Sequence, residues 1–229
     1  MAIKSLSATI TRKSGLVASL LVACVTAGCA TNELHRSLDR LHPCLSSEGP
    51  TDALCGTVTV PENRDTGIGR QIRLWVVVLP SLASTANDDP LFFLAGGPGQ
   101  AAAQLASQIR GVFRQVQRTR DIVLVDQRGT GKSNPLNCRS SASSLREMTE
   151  RSSAALVRLR QCLEGYDADV RLYTTDIAMD DLDDVGAYLG YGRINLYGGS
   201  YGTRAALVYL RQHGEHVRSI VLDGVAPTD

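Results

Sequence analysis

The chain has 229 residues, 43% of them hydrophobic and 21% charged, with a formal net charge of +1. That length and composition suit a globular protein able to bury one sizeable core. Near-neutrality provides no field to steer a polyanion, so a nucleic-acid partner is not expected.

Residues 1–28 have the pattern of a lipoprotein-type signal peptide. Lys4, Arg12 and Lys13 precede an apolar stretch from Gly15 to Val25 that is too short for a comfortable membrane span. Thr26-Ala27-Gly28-Cys29 follows. Small residues directly before a cysteine are the pattern in which Cys29 is lipidated and becomes the new N-terminus. An ordinary cleaved signal, with no role for Cys29, is the alternative. Either way the protein is expected to be exported: anchored in the bacterial envelope through lipid alone, or secreted. Residues 29–43 are then a polar tether, and 44–229 the domain. Cys24 leaves with the signal, so Cys44, Cys55, Cys138 and Cys162 remain, an even number in an exported chain. Four cysteines allow three pairings, of which Cys44–Cys55 with Cys138–Cys162 is the simplest. No spacing suits zinc, and neither a metal nor a cofactor is expected.

Residues 56–60 and 71–79 are β-rich runs around the turn-forming Pro61-Glu62-Asn63-Arg64-Asp65-Thr66-Gly67, which predicts an antiparallel hairpin. Residues 81–89 form a loop. Strand–helix alternation then begins, the pattern of a parallel sheet. Residues 91–95 make a strand and 100–117 a helix. Residues 121–126 make a second strand, whose unbroken Ile122-Val123-Leu124-Val125 run suits a strand covered on both faces. A helix is predicted over 144–164, with Ser144 and Glu147 at capping-box spacing, and another over 175–189. In the latter Ile177, Leu182, Val185 and Leu189 are expected to face inward, and Asp180, Asp181, Asp183 and Asp184 to face water. Helical backbone cannot wrap ligands around calcium, so these acids suggest a solvated face. A strand over 193–197, a helix over 201–212 and a last strand over 217–223 complete the order.

Gly198-Gly199-Ser200-Tyr201-Gly202 falls between a predicted strand and a predicted helix. A G-x-S-x-G there is a nucleophile elbow, with glycine at 198 and 202 because strand and helix backbones pass close together. Ser200 alone is a weak nucleophile and needs a base. The oxyanion it generates needs two donors: the backbone N–H of Tyr201, and one from the loop after the strand at 91–95. That loop reads Gly96-Gly97-Pro98-Gly99. Gly97 is the expected second donor, with Gly96 next to it in support. Two phosphate patterns compete for the same region. Gly97-Pro98-Gly99-Gln100-Ala101-Ala102 fits a dinucleotide turn, but a hairpin precedes it and the elbow is left unexplained. Gly131-Lys132-Ser133 ends like a P-loop, but the required earlier glycine is Asp126.

Ala95-Gly96-Gly97-Pro98-Gly99, the segment Asp126-Gln127-Arg128-Gly129-Thr130-Gly131-Lys132-Ser133 and Gly198-Gly199-Ser200-Tyr201-Gly202-Thr203 together resemble the prolyl and tripeptidyl aminopeptidase branch of the α/β-hydrolases. Leu54 to Asn63 and Leu222 to Pro227 sharpen the likeness toward its secreted tripeptidyl aminopeptidase-like members. The resemblance covers about residue 40 to 229. It departs at Ala95, where prolyl aminopeptidases usually carry histidine. It implies an α/β-hydrolase fold: an N-terminal hairpin, then a parallel sheet with flanking helices. It also implies a peptide substrate cleaved from its N-terminus through Ser200. Asp126 and Arg128 become a structural loop pair. Asp223 closes the strand after the elbow helix, one strand before the family's acid. The family's lid, acid and histidine belong after that strand, so the sequence is expected to be the N-terminal part of such a domain, inactive without a complementing C-terminal segment. His213 and His216 are expected as helix-end residues far from Ser200. An esterase with the same serine, and a remnant that only binds, are the competing readings.

Overall fold

The β-rich runs pair over their full length. Leu54–Pro61 (β2) and Gln71–Leu79 (β3) run antiparallel, from Leu54 opposite Val78 to Pro61 opposite Gln71. Their turn is held by Asn63, whose Oδ1 accepts from the N–H groups of Asp65 (3.0 Å) and Thr66 (3.3 Å), the local bond that makes asparagine a turn residue. A two-residue strand, His42–Pro43 (β1), extends the sheet beyond β2. Leu91–Leu94 (β4), Ile122–Val125 (β5), Ile194–Gly199 (β6) and Val217–Asp223 (β7) complete a seven-stranded sheet of order β1-β2-β3-β5-β4-β6-β7. β4 is parallel to β5 and β6, and β6 is parallel to β7.

This architecture comes from a computed structural model that describes residues 37–45, 47–50, 52–138 and 153–226. The expected signal peptide, Cys29, the first part of the tether and the Ser144/Glu147 capping box lie outside the described residues. Among the described residues no helix is long and apolar enough to cross a membrane.

The apolar strands alternate faces and so build two cores. Phe92, Leu94, Val123 and Val125 join Met179, Leu182, Val185, Ala205 and Tyr209 on one face. Leu91, Phe93, Ile122 and Leu124 join Trp75, Ala103, Ala106 and Ile109 on the other. The first face is covered by Thr175–Tyr188 (α4) and Tyr201–Gln212 (α5). The second is covered by the short helices Ala106–Val112 (α1) and Arg114–Gln117 (α2). Ser153–Glu164 (α3) precedes α4 in the chain. Each fully buried side chain of the Phe92 or Leu124 kind contributes about 1.5–3 kcal/mol.

The structure corrects four expectations. The helix predicted from residue 100 begins only at Ala103, as a 3-10 turn, and breaks at Phe113. The tether is not free from Ser37 onward. The Ser37 N–H donates to the Leu189 carbonyl at 3.0 Å, Arg40 reaches the Tyr188 carbonyl at 2.7 Å, and Leu41 is buried. Of the four acids of α4 expected to face water, Asp184 is exposed, whereas Asp181 is 2% exposed and Asp180 and Asp183 are half-buried against the end of α5. Asp126 and Arg128 are both structural but do not pair with each other, as described below. Both short-range disulfides are formed, with Cα–Cα separations of 5.0 Å for Cys44–Cys55 and 5.5 Å for Cys138–Cys162.

Candidate active site

β6 ends in two glycines, and the chain turns abruptly into α5. Ser200 occupies the turn at φ 53° and ψ −119°, one of two described non-glycine residues with positive φ. Such a conformation costs an L-residue about 1–3 kcal/mol and persists only where its surroundings over-determine it. Here they do. The Ser200 N–H donates to the Asp223 carbonyl on β7 at 2.8 Å. The Ser200 carbonyl accepts from the Thr203 N–H (2.9 Å) and the Thr203 hydroxyl (2.7 Å). The Thr203 hydroxyl oxygen in turn accepts the Ala226 N–H at 2.8 Å. Three elements therefore fix one backbone unit, while Ser200 itself remains exposed.

The flanking glycines are required by contact rather than by φ. A Cβ on Gly202 would lie 2.1 Å from the Leu94 carbonyl oxygen of β4, and one on Gly198 2.3 Å from the Gly202 carbonyl oxygen. A Cβ on Gly199 would meet nothing within 4 Å. Gly198 and Gly202 are where strand and helix backbones touch, and Gly199 is not.

The Gly96–Gly99 loop leaves the end of β4 beside the elbow. An ideal Cβ on Gly96 would stand 3.3 Å from both the Ser200 Cβ and the Gly199 carbonyl oxygen, which places this loop directly against the serine. Gly97 has φ 109°, and its peptide to Pro98 is cis. Tyr201 is the first residue of α5, so its N–H has no carbonyl within its own helix, and the positive end of the helix dipole lies there. The free N–H of Tyr201 therefore adjoins the nucleophile, and the loop that carries Gly97 stands against it through Gly96. The Tyr201 hydroxyl bonds Thr175 Oγ1 at 2.6 Å, which ties the start of α5 to the start of α4.

Asp126 and Arg128 support this arrangement from opposite sides. Asp126 is 1% exposed, and its carboxylate accepts from the N–H groups of Ala103 (2.9 Å) and Lys132 (3.0 Å). Burial pushes its pKa up, against the opposing pull of those two bonds and of Lys132. It fastens the segment that follows the Gly96–Gly99 loop to the 129–133 turn. Arg128 instead makes a buried two-point pair with Asp181 of α4 (2.6 and 2.7 Å) and donates to the carbonyls of Glu62 and Leu172, both at 2.9 Å. Neither residue touches the elbow.

Asp223 carries its carboxylate beside the Tyr197 hydroxyl at 2.5 Å and so holds the Tyr197 pKa up. Its contact with the elbow is through the backbone. Of the described histidines, His213 and His216 follow the far end of α5, about 18 Å from Ser200 at about 1.5 Å per residue. His42 is on β1, five strands from β6.

Sequence reasoning missed three supports: Thr203, whose hydroxyl clamps Ser200; Gly224, at φ 67° beside the Ser200 N–H; and Asp181, the partner of Arg128. Thr203 lay within a motif already noted, but its bonds depend on β7 returning beside the elbow. Asp181 lay within a helix face that looks uniformly acidic.

The chain is similar to several known proteins. Tripeptidyl aminopeptidase of Streptomyces lividans is 29% identical over 192 residues, which is 77% of this chain and 36% of that protein. Serine protease Hip1 of Mycobacterium tuberculosis is 30% identical over 205 residues, 80% of this chain and 38% of that one. The chain therefore spans little more than a third of the length of these curated relatives. Among solved structures, a proline iminopeptidase of Mycobacterium smegmatis aligns with a TM-score of 0.47 at 21% identity, covering 72% of this chain and 42% of that one. Residues 89–229 match the family described as alpha/beta hydrolase fold, and with the elbow at Ser200 in place the chain belongs to that family.

Proposed function

We propose that Ser200 is the nucleophile of an exported serine hydrolase that cleaves peptides from their N-terminus. The observation that carries this reading is the Ser200 backbone, held in a conformation that costs stability and placed against a glycine loop. The peptide substrate is taken from the relatives named tripeptidyl aminopeptidase and serine protease. Ser200 Oγ attacks the scissile carbonyl carbon and gives its proton to a base. The carbonyl oxygen becomes an oxyanion, stabilised by the N–H groups of Tyr201 and Gly97. Collapse expels the amine, which takes the proton, and water then releases the acyl group by the same path.

Base and acid come from outside the described residues. His213 and His216 are too distant to take the Ser200 proton, and His42 lies at the opposite edge of the sheet. Loss of the base in a serine triad costs on the order of 10⁶ in kcat, and an oxyanion hole alone retains about 10³–10⁴ over water. A segment supplying the base would pair with β7, an edge among the described strands, where Val221 is 53% exposed. Export is supported by two disulfides, which persist in oxidising compartments, and by the Thr26-Ala27-Gly28-Cys29 junction.

The test is a chimera in which residues 37–226 replace the matching segment of the Streptomyces tripeptidyl aminopeptidase. Cleavage of a tripeptide anilide that disappears with Ser200→Ala supports the proposal. A folded chimera that hydrolyses p-nitrophenyl esters and leaves the anilide intact would overturn the peptidase reading.

A further inference from the structure

The far end of α5 carries a cluster that the chemistry at Ser200 does not use. His213 and His216 follow the helix, and α4 presents Asp180 and Asp183 to them, one turn apart. Asp183 Oδ1 lies 2.6 Å from His216 Nδ1 and also accepts the Tyr209 hydroxyl at 2.8 Å. Asp180 Oδ1 lies 2.9 Å from His213 Nε2. The second nitrogen of that ring, Nδ1, faces Asp183 Oδ2 across 3.6 Å. The two imidazole planes are within 4° of parallel, with centroids 6.4 Å apart.

The gap between His213 Nδ1 and Asp183 Oδ2 is wider than a hydrogen bond, and a cation seated there would bridge the two atoms. A separation of 3.6 Å also suits two ligands of one tetrahedral ion with bonds of about 2.0–2.2 Å. Asp183, His213 and His216 each offer a ligand atom, and these atoms lie within 4.8 Å of one another. Asp180, on the opposite nitrogen of His213, completes the carboxylate–histidine–metal pattern that fixes the ring and its tautomer. All four side chains are part-buried, so an ion has a route in and water can complete its coordination.

We infer that Asp183, His213 and His216 bind a divalent transition-metal ion of the zinc class, with Asp180 as a positioning residue. Two imidazoles and one carboxylate suit zinc, whereas calcium and magnesium take oxygen ligands. The ion joins α4 to the end of the helix whose first turn holds the nucleophile's oxyanion donor, so its role is structural. The individual residues were visible in the sequence, but the site exists only because α4 packs on α5.

The test is calorimetric titration of the full chain with zinc chloride in metal-free buffer near neutral pH, with cobalt as a spectroscopic substitute. One equivalent should bind. His213→Ala and His216→Gln should each weaken binding at least tenfold, and Asp180→Asn by about 10–100-fold. Saturating zinc should raise Tm by several degrees, a shift that His216→Gln abolishes. The His216 side chain is 45% exposed, so that variant leaves the core intact. Cobalt should give visible d–d bands without thiolate charge transfer. Three results would overturn the site: no binding at millimolar zinc; binding indifferent to His213→Ala and His216→Gln; or a thiolate band, which moves the ion to a cysteine.

Discussion

Substituting Gly202 by alanine sets two effects of opposite sign against each other. Gly202 is the second residue of α5, where alanine gains up to about 1 kcal/mol of helix propensity over glycine. The added Cβ, however, would stand 2.1 Å from the Leu94 carbonyl oxygen, 2.8 Å from its carbon and 3.1 Å from the Ala95 oxygen. These are backbone atoms of β4 and its loop, and β4 is hydrogen-bonded on both sides, to β5 and β6. Relief requires the helix start and the strand to separate by about 1 Å, overpacking that costs about 1–3 kcal/mol or more. The clash wins, and Gly202→Ala should lose about 2 kcal/mol. At a urea slope of about 2 kcal/mol/M the midpoint falls by about 1 M. The single Trp75, 8% exposed on β3 with Lys132 Nζ 4.2 Å above its ring, reports the transition by fluorescence. Gly199→Ala is the internal control, because its Cβ meets nothing within 4 Å and its midpoint should stay within about 0.5 kcal/mol of the parent. Equal midpoints for Gly202→Ala and Gly199→Ala would refute the reasoning.

Arg128→Ala should cost about 2–3 kcal/mol in urea unfolding, because it removes the buried two-point pair and leaves the Asp181 carboxylate to Arg64 alone. Lysine cannot restore the two-point pair, so rescue by Arg128→Lys would contradict this account. Cys44→Ser removes a bridge between residues 11 apart and should cost about 2–3 kcal/mol; no change on reduction of the parent would count against that. Burial pushes the Asp89 carboxyl up, but the Asn195 amide, Arg120 and Arg218 outweigh it and hold its pKa below 3.8. Its stabilisation is complete above that ordinary value and is lost as pH falls through the depressed one. Asp89→Asn should therefore flatten the acid limb of the stability profile, and an unaltered limb would be inconsistent. Mass spectrometry of the mature N-terminus should find diacylglyceryl-Cys29, against which a free N-terminus at Ala30 would count.

The parallel strands were legible because both faces are covered, which forces unbroken apolar runs such as Ile122 to Val125. The elbow was legible because two backbones can touch only at glycine, and Gly198 and Gly202 frame the serine. The acids of α4 misled because helical periodicity does not reveal which charges meet partners from other elements. Asp181 meets Arg128 and Arg64, Asp183 meets Tyr209 and His216, and all of these partners come from outside the helix. The break at Phe113 was hidden for a related reason. Its ring packs on Phe93 and Tyr197, a tertiary demand to which helix propensity is blind. The hydroxyl clamp of Thr203 likewise depends on where β7 returns.

The central claim is that Ser200 is a preorganised nucleophile whose base lies outside the described residues. It is tested most directly by treating the purified chain, beside its Ser200→Ala variant, with a fluorophosphonate probe and mapping the adduct by mass spectrometry. The account predicts no Ser200-dependent labelling in the isolated chain, and labelling at Ser200 once the chain is placed in the Streptomyces aminopeptidase chimera. Rapid Ser200-dependent labelling of the isolated chain would contradict it, because a base would then stand within reach of the elbow.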